Sequence, residues 1–163
     1  MKLIRLAVIS VVILFVLATL MGALLPSIVL VSRAVNINGS KDSVMPYLKD
    51  IRQWTAWIEG MESSSVKIYS SSHADLAGTS VNIIAISDTT VVSSWTGRKG
   101  NAQTSTIRLI GNSLQKVTVV QWQFEQKLKW YPWEKLGSIM NDKILGTMME
   151  KNLNSLKLLI EQK

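Results

Sequence analysis

The sequence predicts an α+β fold in which a curved antiparallel β-sheet packs against one long C-terminal helix, with one N-terminal transmembrane helix ahead of the sheet. Three observations lead to this prediction. From Trp133 to the C-terminus, apolar residues recur at steps of three and four, the spacing of one helix face. Residues 65–126 form short segments separated by turn residues, which is typical of strands. Residues 6–25 contain no charged side chain.

The uncharged N-terminal segment is about as long as a helix that crosses a bilayer. Lys2 and Arg5 precede it, and basic residues are retained on the cytoplasmic side. We therefore expect residues 1–27 to be a single-pass membrane anchor with a cytoplasmic N-terminus. Residues 28–163 then form one domain on the outer, periplasmic or extracytoplasmic, side.

A cleaved signal peptide is the alternative interpretation of the N-terminus. The apolar region of a signal peptide usually runs roughly 7 to 15 residues, which is shorter than this one. No small-x-small cleavage pattern precedes Pro26 either. Both observations favour an anchor that stays attached.

Composition limits the function classes. The chain has 18 Lys and Arg against 11 Asp and Glu, a formal net charge of +7. The basic residues are scattered, so the charge suits a domain near anionic lipid headgroups better than a nucleic-acid interface. Cysteine is absent, which excludes disulfides, a thiol nucleophile and cysteine metal sites.

The strands and helices follow from alternation and turn signals. Ile28–Ile37 is a predicted strand that ends at the turn Asn38–Ser40, and a short amphipathic helix is predicted over 41–53. In the last strand the apolar parity changes near Val119, which predicts a β-bulge and a strongly curved strand there. The remaining predicted strands are Val66–Tyr69, Gly78–Ser87, Thr90–Thr96, Gln103–Ile110 and Gln115–Gln126.

Several motifs together resemble the START-like or SRPBCC superfamily, in particular its polyketide cyclase/dehydrase-like branch. They are a helix end followed by two tryptophans at 50–57, a glycine-flanked hairpin at 94–100, and the closing-helix pattern at 140–146 with 153–161. The resemblance runs from about residue 28 to the end. It implies a helix-grip fold, in which the sheet wraps around the C-terminal helix and encloses an apolar cavity. The chain departs from the pattern at Asn152, where relatives often have glycine.

The sequence contains few residues that would support catalysis or metal binding. His73 is the only histidine and lies in a polar stretch, so we interpret it as a surface imidazole in a loop. No serine lies in a nucleophile-elbow pattern, and no cluster of ligands suits zinc. We therefore predict no catalytic residue, no metal site and no cofactor.

The aromatic and thioether side chains point to a binding cavity instead. Trp57, Trp95, Trp122 and Phe124 fall on or beside predicted sheet elements, where they would line a pocket opposite the long helix. On that helix the predicted lining residues are Met140, Ile144 and Met148, whose flexible chains can adapt to varied apolar ligands. Ordinary core packing is the alternative for each tryptophan.

Aromatic rings alternate with lysines just before the last helix. Lys129, Trp130, Tyr131 and Trp133 have the composition of a membrane-interface contact. An ordinary connection between the last strand and the last helix is the alternative.

These inferences predict a membrane-anchored domain whose partners are a hydrophobic or lipid-like small molecule and the membrane, without nucleic acid. The sequence identifies no protein partner. A polyketide cyclase/dehydrase-like enzyme is an alternative, and buried Arg108, Gln121 or Asn82 would favour it, because a polar group in an apolar cavity is seldom there without a role. A scaffold whose cavity is filled by its own side chains is the third possibility.

Overall fold

The computed structural model describes residues 2–24, 27–98, 100, 102–111, 116–129 and 131–162, with the side chains of residues 132, 136 and 138–141 excepted. The predicted α+β helix-grip architecture is confirmed. The elements in chain order are α1 (Lys2–Leu24), β1 (Ile28–Asn38), α2 (Lys41–Lys49), α3 (Ile51–Trp54), β2 (Val66–Ile68), β3 (His73–Leu76), β4 (Thr79–Ile86), β5 (Thr90–Thr96), β6 (Ala102–Ile110), β7 (Val117–Lys127) and α4 (Pro132–Glu161).

The seven strands form one antiparallel sheet in the order β1-β7-β6-β5-β4-β3-β2. From β2 to β7 each strand pairs with the next one along the chain, so this part is a meander. The first strand closes the other side by pairing with the last, from Ile28 opposite Lys127 to Asn38 opposite Val117. The two ends of the domain sequence are therefore neighbours in the sheet.

Alternation on β7 separates a buried face from an exposed face. Its buried residues are Thr118, Val120, Trp122 and Phe124, while Val117 on the other face is 44% exposed. The pairing of β7 with both neighbours runs without a register shift. The predicted bulge near Val119 is therefore wrong: Val117 and Val119 are outward-facing valines, and no bulge is needed to account for the change of parity.

The sheet has its register shift in β4 instead. Between Ile83 and Ala85 the pairing with β5 slips by one residue, which leaves Ile84 unpaired. A bulge of this kind increases local twist and bends the strand. The distortion therefore lies on the opposite side of the sheet from the predicted one.

Two local predictions also need correction. The helix expected over 41–53 is divided at Asp50, which caps α3 by accepting a hydrogen bond from the Arg52 amide (3.0 Å). The Arg52 guanidinium also binds the Asp50 carboxylate and holds the pKa of Asp50 below its ordinary value. His73 begins β3 rather than lying in a loop, and its Nδ1 lies 2.6 Å from Asn82 Oδ1.

A closed ring of five aromatic side chains fills the centre of the domain. Successive ring centroids lie 5.3 to 6.4 Å apart, and three of the contacts are edge-on, one is tilted and one is stacked. The members, in order around the ring, are Trp54, Trp57, Trp122, Phe124 and Trp95. Two serines of the sheet accept hydrogen bonds from indole N–H groups of this ring. Trp122 donates to Ser105 Oγ (2.8 Å), and Trp95 donates to Ser93 Oγ (2.9 Å).

The C-terminal half of α4 completes this core. Its buried apolar residues are Met149, Leu153, Leu156 and Ile160. Asn152, at the position where the family resemblance implies glycine, is 1% exposed. Its Oδ1 accepts a hydrogen bond from the Glu59 amide (3.0 Å), so the amide side chain ties the segment after α3 to α4.

An arginine on the edge strand holds α4 in place. Arg33 lies on the inner face of β1, with Val31 and Val35, and its Nε donates to Glu150 Oε1 at 2.7 Å. Asp142 is 3.9 Å from Arg33 Nη1. The guanidinium lies directly over Gly146, where a Cβ atom would collide with it. Glycine at this turn therefore gives the arginine room against the helix.

Replacing Arg33 by methionine keeps an apolar stem and removes the guanidinium. We expect the variant to lose about 0.5–1 kcal/mol of unfolding free energy, because the Glu150 partner is 58% exposed and such pairs are weak. Urea unfolding of the full chain in detergent, followed by tryptophan fluorescence, measures the loss. It should shrink in about 1 M salt, where charges are screened. Lys151→Met, which breaks the more exposed ion pair with Glu59, is the matched control. An equal loss of unfolding free energy in that variant would mean that the Arg33 pair stabilises the fold no more than an exposed surface pair does.

A groove at the end of the sheet nearest α1

The groove is bounded by the strand ends nearest α1 and by the N-terminal half of α4. It consists of two adjoining depressions of about 220 and 460 Å³, which share five lining residues. These shared residues are Gln103, Phe124, Gln126, Leu145 and Met148. The smaller depression adds Val29, Val31 and Ile144, and the larger one adds Leu76, Thr79, Trp95 and Gly97.

Strand pairing explains why these residues meet. Val29 of β1 lies opposite Gln126 of β7, Gln126 lies opposite Gln103 of β6, and Gln103 lies opposite Trp95 of β5. Directly paired residues point to the same face, so these four form one inward row across the sheet. Phe124 and its register partner Val31 form part of the next inward-facing row, farther along the strands from α1. The pairing register of these four strands therefore determines which residues form the floor of the groove.

This end of the sheet is the end joined to α1. Only Leu25, Pro26 and Ser27 lie between α1 and β1. The Leu128 amide, just past the end of β7, donates to the Ser27 carbonyl at 2.8 Å. The first row of the groove is thus within a few residues of the point where α1 ends. Helix α1 also contacts α4, and Gly22, near the C-terminal end of α1, is buried.

The groove lining is mostly apolar, and its polar side chains are Thr79 and one pair of glutamines. Gln103 Nε2 donates to Gln126 Oε1 at 3.1 Å, and both side chains are half-buried. None of the residues that line the groove in the described part of the chain is charged. Concave, mostly apolar sites with a few polar groups are the usual form of small-molecule sites in proteins.

The residues predicted to line a pocket divide into two groups. Trp95, Phe124, Ile144 and Met148 line the groove, with Ile144 68% and Met148 37% exposed. Trp57 and Trp122 lie deeper, 2% and 1% exposed, within the aromatic ring. Met140 falls in α4, but its side chain lies outside the described residues. The interior is therefore filled around the ring and open towards α1.

The predicted interface residues lie beside the same end. Tyr131 and Trp133 stack with ring centroids 5.0 Å apart, and Trp133 is 60% exposed. Lys129 is exposed, and its amide donates to Glu134 Oε2 (3.0 Å) in the first turn of α4. Trp130 lies outside the described residues.

The polar residues that would favour an enzyme lie elsewhere. Arg108 is exposed and pairs in register with Gln121, whose Nε2 donates to Ser32 Oγ (3.2 Å) on the outer face of the sheet. Asn82 bonds His73 near the far edge. Among the described residues, no group of three His, Asp or Glu side chains is placed to hold a metal ion.

A larger depression of about 710 Å³ lies at the opposite end, between α2 and the end of α4. Two of its polar groups already have protein partners: the Asp50 carboxylate binds Arg52, and the backbone amide of Asn38 donates to Glu161 Oε1 (2.8 Å). Volume alone does not make a site, and a ligand there would have to compete with these contacts. The groove near α1 is therefore the better candidate.

Sequence reasoning missed Gln103 and Gln126. A signal for them exists, because Gln103 has the same parity as the buried Ile107 and Leu109, and Gln126 has that of Trp122 and Phe124. A glutamine on the inward parity of two neighbouring strands predicts a polar group in the cavity.

No family model and no curated protein matches the chain. Solved structures do match it. Protein XoxI from Bacillus cereus has a TM-score of 0.59 at 15% identity, covering 80% of this chain and 94% of XoxI. CalU16 from Micromonospora echinospora has a TM-score of 0.57 at 16% identity, covering 82% of both chains.

The di-domain ARO/CYC protein BexL from the BE-7585A biosynthetic pathway has a TM-score of 0.62 at 12% identity. The match covers 84% of this chain and 51% of BexL. At these identities the similarity shows the fold. The predicted resemblance is confirmed at that level: the chain has a helix-grip fold, which it shares with these solved structures.

Proposed function

We propose that this protein is a membrane-anchored binding domain that takes a hydrophobic or lipid-like molecule into the groove. One observation carries the proposal: the domain's uncharged, mostly apolar groove lies at the end of the sheet from which α1 departs. An apolar ligand gains roughly 25 cal/mol for each Å² of apolar surface that leaves water. A ligand dissolved in the adjacent bilayer could enter without crossing bulk water.

The proposed division is an anchor over residues 1–27 and a binding domain over 28–163. Helix α1 has 23 residues, and its most apolar 18-residue stretch has a mean hydropathy of 2.8, so its length and composition suit a membrane span. Lys2 and Arg5 favour a cytoplasmic N-terminus, which puts the domain on the outer side.

In this proposal the surface formed by Lys129, Tyr131 and Trp133 rests on the membrane. The exposed ring of Trp133, stacked on the half-buried Tyr131 next to an exposed lysine, suits the headgroup layer, where an aromatic ring is partly dehydrated and the ammonium remains hydrated. The surface lies at the start of α4, close to the end of α1.

Filling the groove should abolish binding. Met148 lines both depressions and is 37% exposed, so a tryptophan there adds volume without entering the packed core. We expect full-length protein in mild detergent to carry a bound apolar molecule in native mass spectrometry, and Met148→Trp to carry at least about tenfold less, a difference of 1.4 kcal/mol.

Leu158→Trp is the matched control. Leu158 lies on the same helix, is 55% exposed and does not line the groove, so this variant should retain the ligand. If the wild-type protein carries no apolar molecule and takes up none of the lipids offered to it, the proposal is wrong.

The absence of cysteine makes the proposed orientation directly testable. We expect Ser64→Cys, in an exposed segment after α3, to react with an impermeant maleimide in intact cells. Trp133→Cys, carrying an environment-sensitive dye, should be quenched by quenchers attached to lipid headgroups, whereas a dye at residue 64 should not. Labelling of residue 64 only after the cells are permeabilised would reverse the proposed orientation.

A further inference from the structure

The groove has one internal hydrogen-bonding feature, the amide pair of Gln103 and Gln126. The two residues lie directly opposite each other on β6 and β7, on the inner face of the sheet. They share one hydrogen bond of 3.1 Å, from Gln103 Nε2 to Gln126 Oε1. Thr79 is the other residue with a polar side-chain oxygen along the described groove lining.

The shared bond leaves much of the pair's capacity unused. Each glutamine amide can donate two hydrogen bonds and accept two. After the shared bond, Gln126 retains both of its N–H donors, while Gln103 retains one N–H and its carbonyl oxygen. A half-buried amide beside Phe124 and Leu145 lacks full contact with water, so a bound group that satisfies it is favoured.

The same lining disfavours an ionised group. A charge removed from water needs a partner of opposite sign, and the groove lining supplies none. Arg33 lies on the same inward-facing side of β1 as Val31, but its guanidinium is already bound to Glu150 on α4. An uncharged ligand oxygen, by contrast, can accept a hydrogen bond from an amide N–H of the pair. If that oxygen belongs to a hydroxyl group, it can also donate to the side-chain carbonyl of Gln103.

We propose that the Gln103–Gln126 pair makes the groove selective for neutral membrane lipids that carry a hydroxyl or carbonyl group. This inference rests on the proposed function and specifies its ligand class. The polar oxygen of the lipid bonds the amide pair, and its hydrocarbon part lies against Phe124, Leu145 and Met148. Ionised lipids of the same chain length bind more weakly because their charge has no partner in the groove.

Three probes of equal chain length separate the possibilities. Full-length protein in detergent micelles is offered 1-hexadecanol, hexadecane or, at pH 8, palmitate at equal mole fraction, and retained ligand is counted by native mass spectrometry. We expect hexadecanol to be retained about tenfold more than either of the others, the effect of one to two net hydrogen bonds. Equal retention of all three, or a preference for palmitate, would overturn the inference while leaving the proposed binding function standing.

The double variant Gln103→Leu with Gln126→Leu tests the residues themselves. Replacing both partners with apolar groups of similar size leaves no unpaired amide, so the fold should be retained. The variant should bind hexadecanol and hexadecane equally, whereas Gln123→Leu, on the outer face of β7, should keep the wild-type preference. A preference that survives the double substitution would assign selectivity to other residues. Retention of no probe by the wild-type protein would instead contradict the proposed function itself.

Discussion

Replacing Trp122 by alanine is expected to remove about 3–5 kcal/mol of unfolding free energy, the range for a buried aromatic truncated to alanine. Trp122 is 1% exposed, contacts Trp57 and Phe124 in the aromatic ring, and donates its indole N–H to Ser105 Oγ. Its loss opens a cavity in the ring and leaves the serine hydroxyl without its donor. A domain of ordinary stability has only about 5–15 kcal/mol in total.

Thermal and urea unfolding of the full chain, followed by fluorescence, measure this loss. Trp133→Ala is the control with the same chemical change, and because Trp133 is 60% exposed it should alter stability by no more than about 0.5 kcal/mol. Similar losses in the two variants would mean that the aromatic ring does not hold the core together.

Placing two lysines in α1 is expected to release the protein from the membrane. Val12 and Val16 lie near the middle of α1, are 55% and 49% exposed, and are separated from the buried turn at Gly22. A lysine at the centre of a bilayer costs about 2.5–3.5 kcal/mol, and each Leu, Ile, Val or Phe contributes only roughly 0.3–0.6 kcal/mol to insertion. The double variant Val12→Lys with Val16→Lys therefore offsets most of what drives α1 into the membrane.

Alkaline carbonate extraction of membranes provides the measurement. Wild-type protein should stay in the pellet, and the double-lysine variant should move almost entirely to the supernatant. Val12→Leu with Val16→Leu, which keeps α1 apolar, should behave like wild type. If the lysine variant also stayed in the pellet, α1 would not be the anchor.

Most of the elements were predictable because each depends on local patterns, whereas the four-residue strand β3 was not predicted. The period of α4 and the alternation of β5, β6 and β7 are visible in the sequence, and the motifs at 140–146 and 153–161 identified the fold. The bulge was misplaced for a physical reason. Outward-facing valines on a strand mimic a change of parity, since sequence alone does not show which face a neighbour covers.

The groove itself depends on contacts that are distant in sequence. The sequence alone does not explain why Arg33 interrupts the apolar pattern of β1. In the structure Arg33 lies against Gly146 and Glu150, which are more than a hundred residues away in the chain. Likewise, the sequence could not show that Trp57 and Trp122 lie away from the groove while Trp95 and Phe124 border it. Which aromatic side chains border open space is set by tertiary packing.

The short connection between α1 and β1 limits how far the domain can travel. Three residues extend at most on the order of 10 Å, and β1 is held along its whole length by β7. If α1 is fixed in a bilayer, the domain cannot swing out to meet a second membrane, as a soluble carrier does. Under the proposed function, the groove would therefore exchange its lipid with the same bilayer that holds α1.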